Sequence, residues 1–265
     1  NPFKLGVVSG SDTHNAAAGY VDEDGWKGHI GNSDSDPQDR LGGNTFTTGG
    51  VVTSPGGLTG VWAVENSRDA IFEALKRRET YGTSGPRIAV RFFGGFGLEA
   101  GLCGDADLVE EAYRNGVPMG SDLPEPPDGD AAPTFAVQAF ADTADDALPL
   151  QRVQIIKGQV GAEDDLKIYE VAGGDNDATV DTQTCEPQGE GASSLCATWT
   201  DPDYDPNERA FYYVRVLENP RCRWSTELCN SLPEDERPAN CEDPAVQTTI
   251  QERAWTSPIW ATPAE

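Results

Sequence analysis

The stretch AFYYVRVLE, residues 210–218, decides the fold class of this sequence. It belongs to a set of short runs that alternate apolar with polar side chains and are separated by turn residues. A period of two is typical of strands with one buried face, and several such strands in succession indicate a β-sandwich. The other runs of this kind are residues 134–140, 152–157, 166–171, 197–200 and 248–255.

Helical patterning is confined to the region before these strands. Asn66 or Ser67 can cap a helix that ends before residues 80–82. A shorter helical stretch is predicted over residues 105–114, and residues 122–133, rich in Pro, Asp and Gly, predict a linker or long turn. The apolar residues that recur at helical spacing in the first helix are Ala70, Ile71, Ala74 and Leu75.

The N-terminal region begins with an apolar run. Residues 3–9 contain β-branched side chains between Pro and Gly, which predicts a buried strand. Residues 16–60 are rich in Gly, Asp and Ser and lack periodicity, so they predict a long loop, which in a compact domain is usually functional or locally tethered. Residues 87–93 alternate again and predict another strand.

The net charge of −26 arises from 45 acidic and 19 basic residues. Such a surface repels nucleic acid and anionic membranes, so neither is an expected partner. The sequence has no apolar run long enough to span a membrane. An acidic surface of this kind suits either a saline habitat, where salt screens self-repulsion, or an ordinary acidic secreted protein.

The six cysteines include no CxxC pair, which favours disulfides over a zinc site and an extracellular or periplasmic location. Because the chain opens at Asn1 with neither Met nor a signal peptide, we expect that a segment has been removed upstream. Cys185 and Cys196 flank a Gly- and Ser-rich loop and are expected to staple it. Three connectivities then remain open for Cys103, Cys222, Cys229 and Cys241.

The hexapeptide GSDTHN, residues 10–15, contains the candidate metal ligands Asp12 and His14. In an extended chain, residues two apart point the same way, so both side chains can reach one metal ion. A carboxylate with an imidazole suits zinc, manganese or iron. Two ligands do not hold a catalytic metal, so further ligands must come from elsewhere. In the alternative interpretation, Asp12 caps a turn and His14 is only hydrogen-bonded.

A second group of polar residues consists of candidates for contact with substrate or for support of the ligands. A loop that leaves a metal face can cover it, and an arginine can meet an anionic substrate oxygen. The alternatives are an exposed loop histidine and a surface ion pair. These candidates are Thr13, Asn15, His29, Glu65 and Arg87.

Alternate acids in residues 201–208 suggest a calcium-binding loop. Pro206 stands where an EF-hand loop needs Gly, and Asp-Pro pairs favour turns, so turns are the alternative.

Five strings resemble the family of unknown function 3604 (DUF3604), in the same order and over essentially the whole chain. The proteins of that family are similar to the polymerase-and-histidinol-phosphatase (PHP) superfamily of metal-dependent hydrolases. The strings are GSDTHN (10–15), GVWAVEN (60–66), ALKRRETYGTSGPR (74–87), AFYYVRVLE (210–218) and WTSPIW (255–260).

The resemblance implies a distorted β/α barrel with two or three metals at its C-terminal face. Ser-Asp-x-His is the last metal motif of that pattern, so Asp12 and His14 carry over as ligands. The His-x-His strand that opens such proteins is absent from this sequence, so the chain resembles their C-terminal part. The implied domains are 1–85 (end of the barrel), 86–133 (connecting strand and linker) and 134–265 (β-sandwich with disulfide-stapled loops).

The function implied is that of the C-terminal portion of an exported metal-dependent hydrolase. It would cleave phosphoester-type or related ester bonds of a small molecule, with zinc, manganese or iron bound, once the N-terminal barrel half completes the site. The partner is then that missing half or another copy of the chain. The alternative is a non-catalytic extracellular binding or assembly protein built on the β-sandwich.

Overall fold

The computed structural model describes residues 3–31, 33–42, 50–127, 131–161 and 166–263. Its helices are α1 (Pro37–Gly42), α2 (Arg68–Arg77), α3 (Leu108–Asn115) and α4 (Trp224–Ser231). Its strands are β1 (Thr59–Val61), β2 (Thr80–Thr83), β3 (Ala89–Gly95), β4 (Val117–Pro118), β5 (Thr134–Phe140), β6 (Leu150–Gln159), β7 (Leu166–Gly173), β8 (Thr179–Val180), β9 (Pro187–Gln188), β10 (Ser194–Thr200), β11 (Ala210–Cys222), β12 (Thr249–Thr256) and β13 (Ile259–Ala261).

Two antiparallel sheets face each other across an apolar core. In the described residues the larger sheet has the order β1-β2-β12-β11-β6-β7, with β13 also paired to β11, and the smaller has the order β10-β5-β3-β4. The rings of Phe135 on β5 and Tyr212 on β11 lie 4.4 Å apart and join the two sheets. Alternate residues of each strand point inward, as a half-buried strand requires. The inward set includes Val90, Phe92, Val137, Ile155, Val214 and Val216.

The strands predicted from alternation are confirmed, and the described part of the chain is mostly β-sheet without a closed barrel. The sheets use strands from all three predicted domain segments. Strand β2 pairs with β12, and β3 pairs with β5. Strands of the predicted segments 1–85 and 86–133 thus pair with strands of the segment 134–265.

Helix α2 begins and ends with the expected capping chemistry. The Ser67 side chain accepts a hydrogen bond from the Ala70 N–H, which satisfies one of the free donors of the first turn. At the other end Arg78 has a left-handed backbone (φ 63°), and its N–H reaches the carbonyls of Ala74 and Leu75. The predicted second helix is also present, as α3, and covers the outer face of the smaller sheet through Leu108.

The predicted buried strand at residues 3–9 is wrong, because this segment belongs to no sheet and its apolar side chains face solvent. Its backbone is held by side-chain hydroxyls instead of a strand ladder. The Val7 N–H donates to Ser257 Oγ (2.8 Å), and the Ser9 N–H donates to Thr59 Oγ1 (2.9 Å). The most exposed side chains are Phe3 (71%), Leu5 (68%) and Val8 (66%).

All six cysteines form disulfides, but the expected bridge between Cys185 and Cys196 is wrong. Cys196 on β10 packs against the apolar cluster under α3. Cys185 lies beside α4, where the Asn230 amide reaches its sulfur at 3.7 Å. The two cysteines therefore face different parts of the fold, although they are close in sequence. The bridges are Cys103–Cys196, Cys185–Cys222 and Cys229–Cys241.

Three disulfides are consistent with an extracellular or periplasmic protein. No helix in the described ranges is long and apolar enough to cross a membrane.

The acidic segment 201–208 forms turns whose carboxylates already have protein partners. Asp201 is fully buried and accepts hydrogen bonds from Lys157 Nζ (2.6 Å) and the Tyr212 hydroxyl (2.7 Å). Asp203 instead pairs with Lys167 at the surface (3.2 Å). Since these carboxylates face different partners, the segment is not folded as a calcium loop.

We predict that Asp201→Asn destabilises the protein by about 3–5 kcal/mol, because it leaves the Lys157 ammonium buried without its counter-charge. Urea unfolding followed by tryptophan fluorescence measures this loss. Asp203→Asn is the matched control, since it removes only exposed contacts. Equal losses for the two variants would show that the buried pair is unimportant.

We also predict that removing the Cys103–Cys196 bridge costs more stability than removing Cys229–Cys241. The first bridge closes 93 residues and the second 12. Chain-entropy loss in the unfolded state then corresponds to about 5 against about 3 kcal/mol. Double Cys→Ala variants compared by urea unfolding test the order. A larger loss from the shorter bridge would contradict it.

Candidate functional site

The sequence-predicted metal ligands lie on an exposed segment at the edge of the larger sheet. Asp12 and His14 are both exposed, and Asp12 has a left-handed backbone (φ 51°). The segment is therefore not extended through the motif, and the alternation argument does not apply at Asp12. A left-handed non-glycine residue is uncommon, although Asp tolerates it, and such residues concentrate at functional sites.

A loop docks against this motif through the backbone. The His14 N–H donates to the His29 carbonyl (2.7 Å), and the Asn15 amide donates to the Gly28 carbonyl (2.8 Å). The Thr13 hydroxyl in turn donates to Asn15 Oδ1 (2.6 Å). Thr13 and Asn15 therefore stabilise the shape of the motif and hold residues 28–29 beside it.

The His29 ring contacts an aromatic cluster. It lies edge-on to Trp26, with ring centroids 4.9 Å apart, and its Nε2 is 3.0 Å from the Ser54 carbonyl oxygen. Its Nδ1 is buried and has no hydrogen-bond partner in the described residues. Asp34 fixes the backbone here by accepting from the N–H groups of His29 and Ile30.

Asp12 and His14 fit a zinc, manganese or iron ion by donor type, as an oxygen and nitrogen pair. In the described residues no three His, Cys, Asp or Glu side chains are arranged to hold a metal ion. The pair therefore fits such a metal only as part of a larger ligand set. Glu65 is exposed in the turn before α2 and takes part in no hydrogen bond or ion pair of the motif in the part of the chain that the structure describes.

Arg87 belongs to a second cluster, which the sequence analysis missed. We call this cluster the acidic chamber: a cavity of about 60 Å³ between residues 21–23, 86–87, 142–147 and the ends of β11 and β12. The Arg87 N–H donates to Asp142 Oδ2 (2.6 Å) at its rim. The chamber is lined by six carboxyl groups, from Asp22, Glu23, Asp142, Asp146, Glu218 and Glu252.

Three of these glutamates are almost completely buried: Glu218 is 0%, Glu252 1% and Glu23 2% exposed. Glu252 accepts a hydrogen bond from the Ser84 hydroxyl, and one Glu23 oxygen accepts from the Trp224 N–H. The other Glu23 oxygen and both Glu218 oxygens have no partner in the described residues.

Burial raises the pKa of all three glutamates, because a low-dielectric environment disfavours the charged form. The pKa of Glu218 rises to about 8 and that of Glu23 to about 7, with the negative charge of Glu252 as the second cause in both. Arg221 acts in the opposite direction on both groups. Strongly perturbed carboxyls in a cavity mark a functional-site candidate.

The acidic chamber joins a larger open cleft of about 550 Å³. Asp146, Ala147 and Arg221 line both spaces. The cleft adds the carboxylates of Asp24, Asp145 and Glu227, and burial raises the pKa of Glu227 to about 7.

The phase of alternation could have revealed the chamber from sequence. By alternation alone Glu218 is expected on the same side as Val214 and Val216, and it is buried although the ladder shifts register between Leu217 and Glu218. Glu252 shares the inward phase of β12 with Ala254. A glutamate at a core-facing position is a buried charge, which is rare without a specific reason.

Comparison with known proteins identifies a family. The profile of a protein family of unknown function, DUF3604, matches residues 1–263. The chain therefore belongs to this family. No curated protein and no solved structure matches the chain.

We predict that the stability of the metal-free protein falls as the pH rises from about 5 to 8. The raised pKa values mean that the folded state binds more protons than the unfolded state in this window, so stability is lost as Glu23 and Glu218 ionise. Glu218→Gln removes one such group. Its stability relative to the wild type should therefore increase with pH, by at most about 1.4 kcal/mol per pH unit.

Urea unfolding at fixed salt with a chelator, repeated across this pH range, measures the difference. The control is Glu99→Gln, which removes an exposed carboxyl group outside the chamber. A Glu218→Gln difference that does not grow with pH beyond that of the control would contradict the assignment.

Proposed function

We propose that this chain is the C-terminal portion of an exported metal-dependent hydrolase that acts on phosphoester-type or related ester bonds. The observation that carries the proposal is the Asp12-x-His14 pair, exposed on a segment whose shape is set by Thr13, Asn15 and the docked loop. It rests further on the likeness of the DUF3604 strings to the PHP superfamily, whose last metal motif is Ser-Asp-x-His.

In this proposal Asp12 and His14 would hold a zinc, manganese or iron ion together with ligands from an N-terminal barrel half. Such an ion, when bound, polarises an ester and lowers the pKa of water. Thr13 and Asn15 keep the two ligands in place through the hydrogen bond between their side chains. The loop at residues 28–29 borders the site through the hydrogen bonds that it accepts from His14 and Asn15.

Several exposed apolar side chains favour the presence of a second polypeptide that covers them. Phe3, Leu5 and Val8 face solvent on the N-terminal segment, and Phe72 and Leu75 face it on α2, which contacts β1. Surface of this kind is typical of protein contacts. We assign it to the N-terminal barrel half, and a second copy of the chain is the other outcome of the test.

A non-catalytic binding or assembly role is the second candidate. It is favoured by the same exposed apolar residues and by the exposed first segment, whose backbone is bound through hydroxyls and not by a neighbouring strand. In that role the apolar surface would serve association alone, and Asp12 and His14 would have no ligand function.

We predict that Asp12→Asn and His14→Asn each abolish hydrolysis of bis(p-nitrophenyl) phosphate by the chain assembled with the polypeptide that completes it. Loss of a group that only supports a ligand costs about 10- to 100-fold, so loss of a ligand should cost at least the upper figure. Bound metal, measured by elemental analysis, should fall in parallel. The exposed Glu125→Gln is the control and should retain both.

Intact mass under denaturing and reducing conditions shows whether a second polypeptide accompanies the chain. A sample that contains this chain alone, binds no zinc, manganese or iron and hydrolyses no ester contradicts the proposal. The same sample, if it assembles through its apolar surface, supports the second candidate.

A further inference from the structure

The acidic chamber holds carboxylate oxygens that lack any protein partner. Both oxygens of Glu218 and one of Glu23 are buried and form no hydrogen bond in the described residues. A buried polar group normally has a partner, because leaving it without one costs free energy. The unpartnered oxygens of a completely buried Glu218 therefore point to a group that occupies the cavity.

The charges around the cavity fit a cation. The lining has six carboxyl groups against two guanidinium groups, those of Arg87 and Arg221. In the described residues neither arginine forms an ion pair within salt-bridge distance of a lining carboxylate. Arg221 lowers the pKa of Glu218 and Glu23 from a distance, but the protein's own positive charges compensate the buried glutamates only in part.

The size and donors of the cavity narrow the choice of cation. A space of about 60 Å³ holds an ion with a few waters but not an organic ligand of any size. The lining contains no histidine and no cysteine, so its donors are oxygens, which suit hard cations such as Ca²⁺ and Mg²⁺ better than zinc.

The charged groups next to the cavity also favour the approach of a cation. The open cleft that shares Asp146 and Arg221 with the chamber adds carboxylates from Asp24, Asp145 and Glu227, so carboxylates outnumber the single arginine in its lining. A cleft lined predominantly by negative charge raises the local concentration of cations.

We propose that the acidic chamber binds one hard divalent cation, Ca²⁺ or Mg²⁺, with Glu218 as its principal protein ligand and water completing its shell. No three carboxyls in the described residues are arranged as a metal-ligand set, so the ion is held by one or two carboxylates, Glu218 and Glu23 or Glu252. Both ions accept such partly hydrated coordination. This site is separate from the Asp12 and His14 pair and does not depend on the proposed hydrolase function.

Equilibrium dialysis of the purified chain against CaCl₂ and, separately, MgCl₂ tests the proposal. High NaCl is kept constant, because a chain of net charge −26 attracts cations nonspecifically. We expect one equivalent of Ca²⁺ or Mg²⁺ per chain, and a higher unfolding temperature than NaCl gives at equal ionic strength. The stronger of the two arms identifies the ion.

Glu218→Gln should weaken this binding on the order of tenfold or more, because it removes the ligand charge. Glu99→Gln, exposed and distant in sequence, is the matched control and should bind as the wild type does. Near-UV circular dichroism establishes that each variant is folded. If Glu218→Gln does not fold, Glu252→Gln replaces it, since its amide oxygen can still accept from the Ser84 hydroxyl.

Two results would overturn the proposal. One is the absence of stoichiometric binding, with CaCl₂, MgCl₂ and NaCl raising the unfolding temperature equally at equal ionic strength. The other is equal affinity of Glu218→Gln and Glu99→Gln for the ion, which would place any bound cation elsewhere.

Discussion

Strand β11 is the element on which the rest of the structure depends. It pairs with β6 along one edge and with β12 and β13 along the other. Its inward side chains Tyr212, Val214 and Val216 fill the core, and the next inward position is Glu218. The strand then ends at Cys222, which a disulfide joins to Cys185 in the loop before β9. A single run of alternating residues therefore connects the apolar core, the acidic chamber and a covalent anchor.

Two buried carboxylates on or beside this strand have opposite environments. Asp201 receives the Lys157 ammonium and the Tyr212 hydroxyl, so its charge is compensated inside the protein. Glu218 is buried as completely but receives no hydrogen bond in the described residues. A buried carboxylate that is paired with a buried ammonium group requires no further ligand. A buried carboxylate without such a partner requires a proton or another cation to offset its charge. This contrast is the reason that we assign Asp201 to structure and propose Glu218 as the cation ligand.

Local pattern predicted the strands and helix α2, because alternation, helical spacing and capping act within a few residues. The disulfide pairing could not be predicted, because it depends on the side of the fold that Cys185 and Cys196 face after the strands pair. Residues 3–9 have the composition of a strand, but the hydroxyls of Thr59 and Ser257 take the place of a neighbouring backbone. Such tertiary partners lie far away in sequence and leave no local signal.

Part of the acidic chamber could have been predicted from the sequence, once the inward-facing side of strands β11 and β12 was known. Val214 and Val216 point inward, and simple alternation places Glu218 next on that side, although the strand ladder shifts register between Leu217 and Glu218. On β12, Glu252 has the same phase as the buried Ala254. The convergence of these two glutamates with Glu23 could not be predicted, because Glu23 arrives on a loop without periodicity. Its position depends on the hydrogen bond from the Trp224 N–H.

That loop also links the acidic chamber to the Asp12 and His14 motif. Glu23 binds the backbone of Trp224, whose ring lies 4.6 Å from that of Trp26. Trp26 contacts the ring of His29, and the His29 carbonyl accepts the hydrogen bond from the His14 N–H.

The Arg40 guanidinium stiffens the same loop by donating to the carbonyls of Trp26, Asp34 and Ser35. The contacts from Glu23 to His14 are thus continuous, and they run through packed rings and buried hydrogen bonds. The loop that shapes the motif therefore also carries Glu23, so the two sites share one scaffold although they differ in donor chemistry.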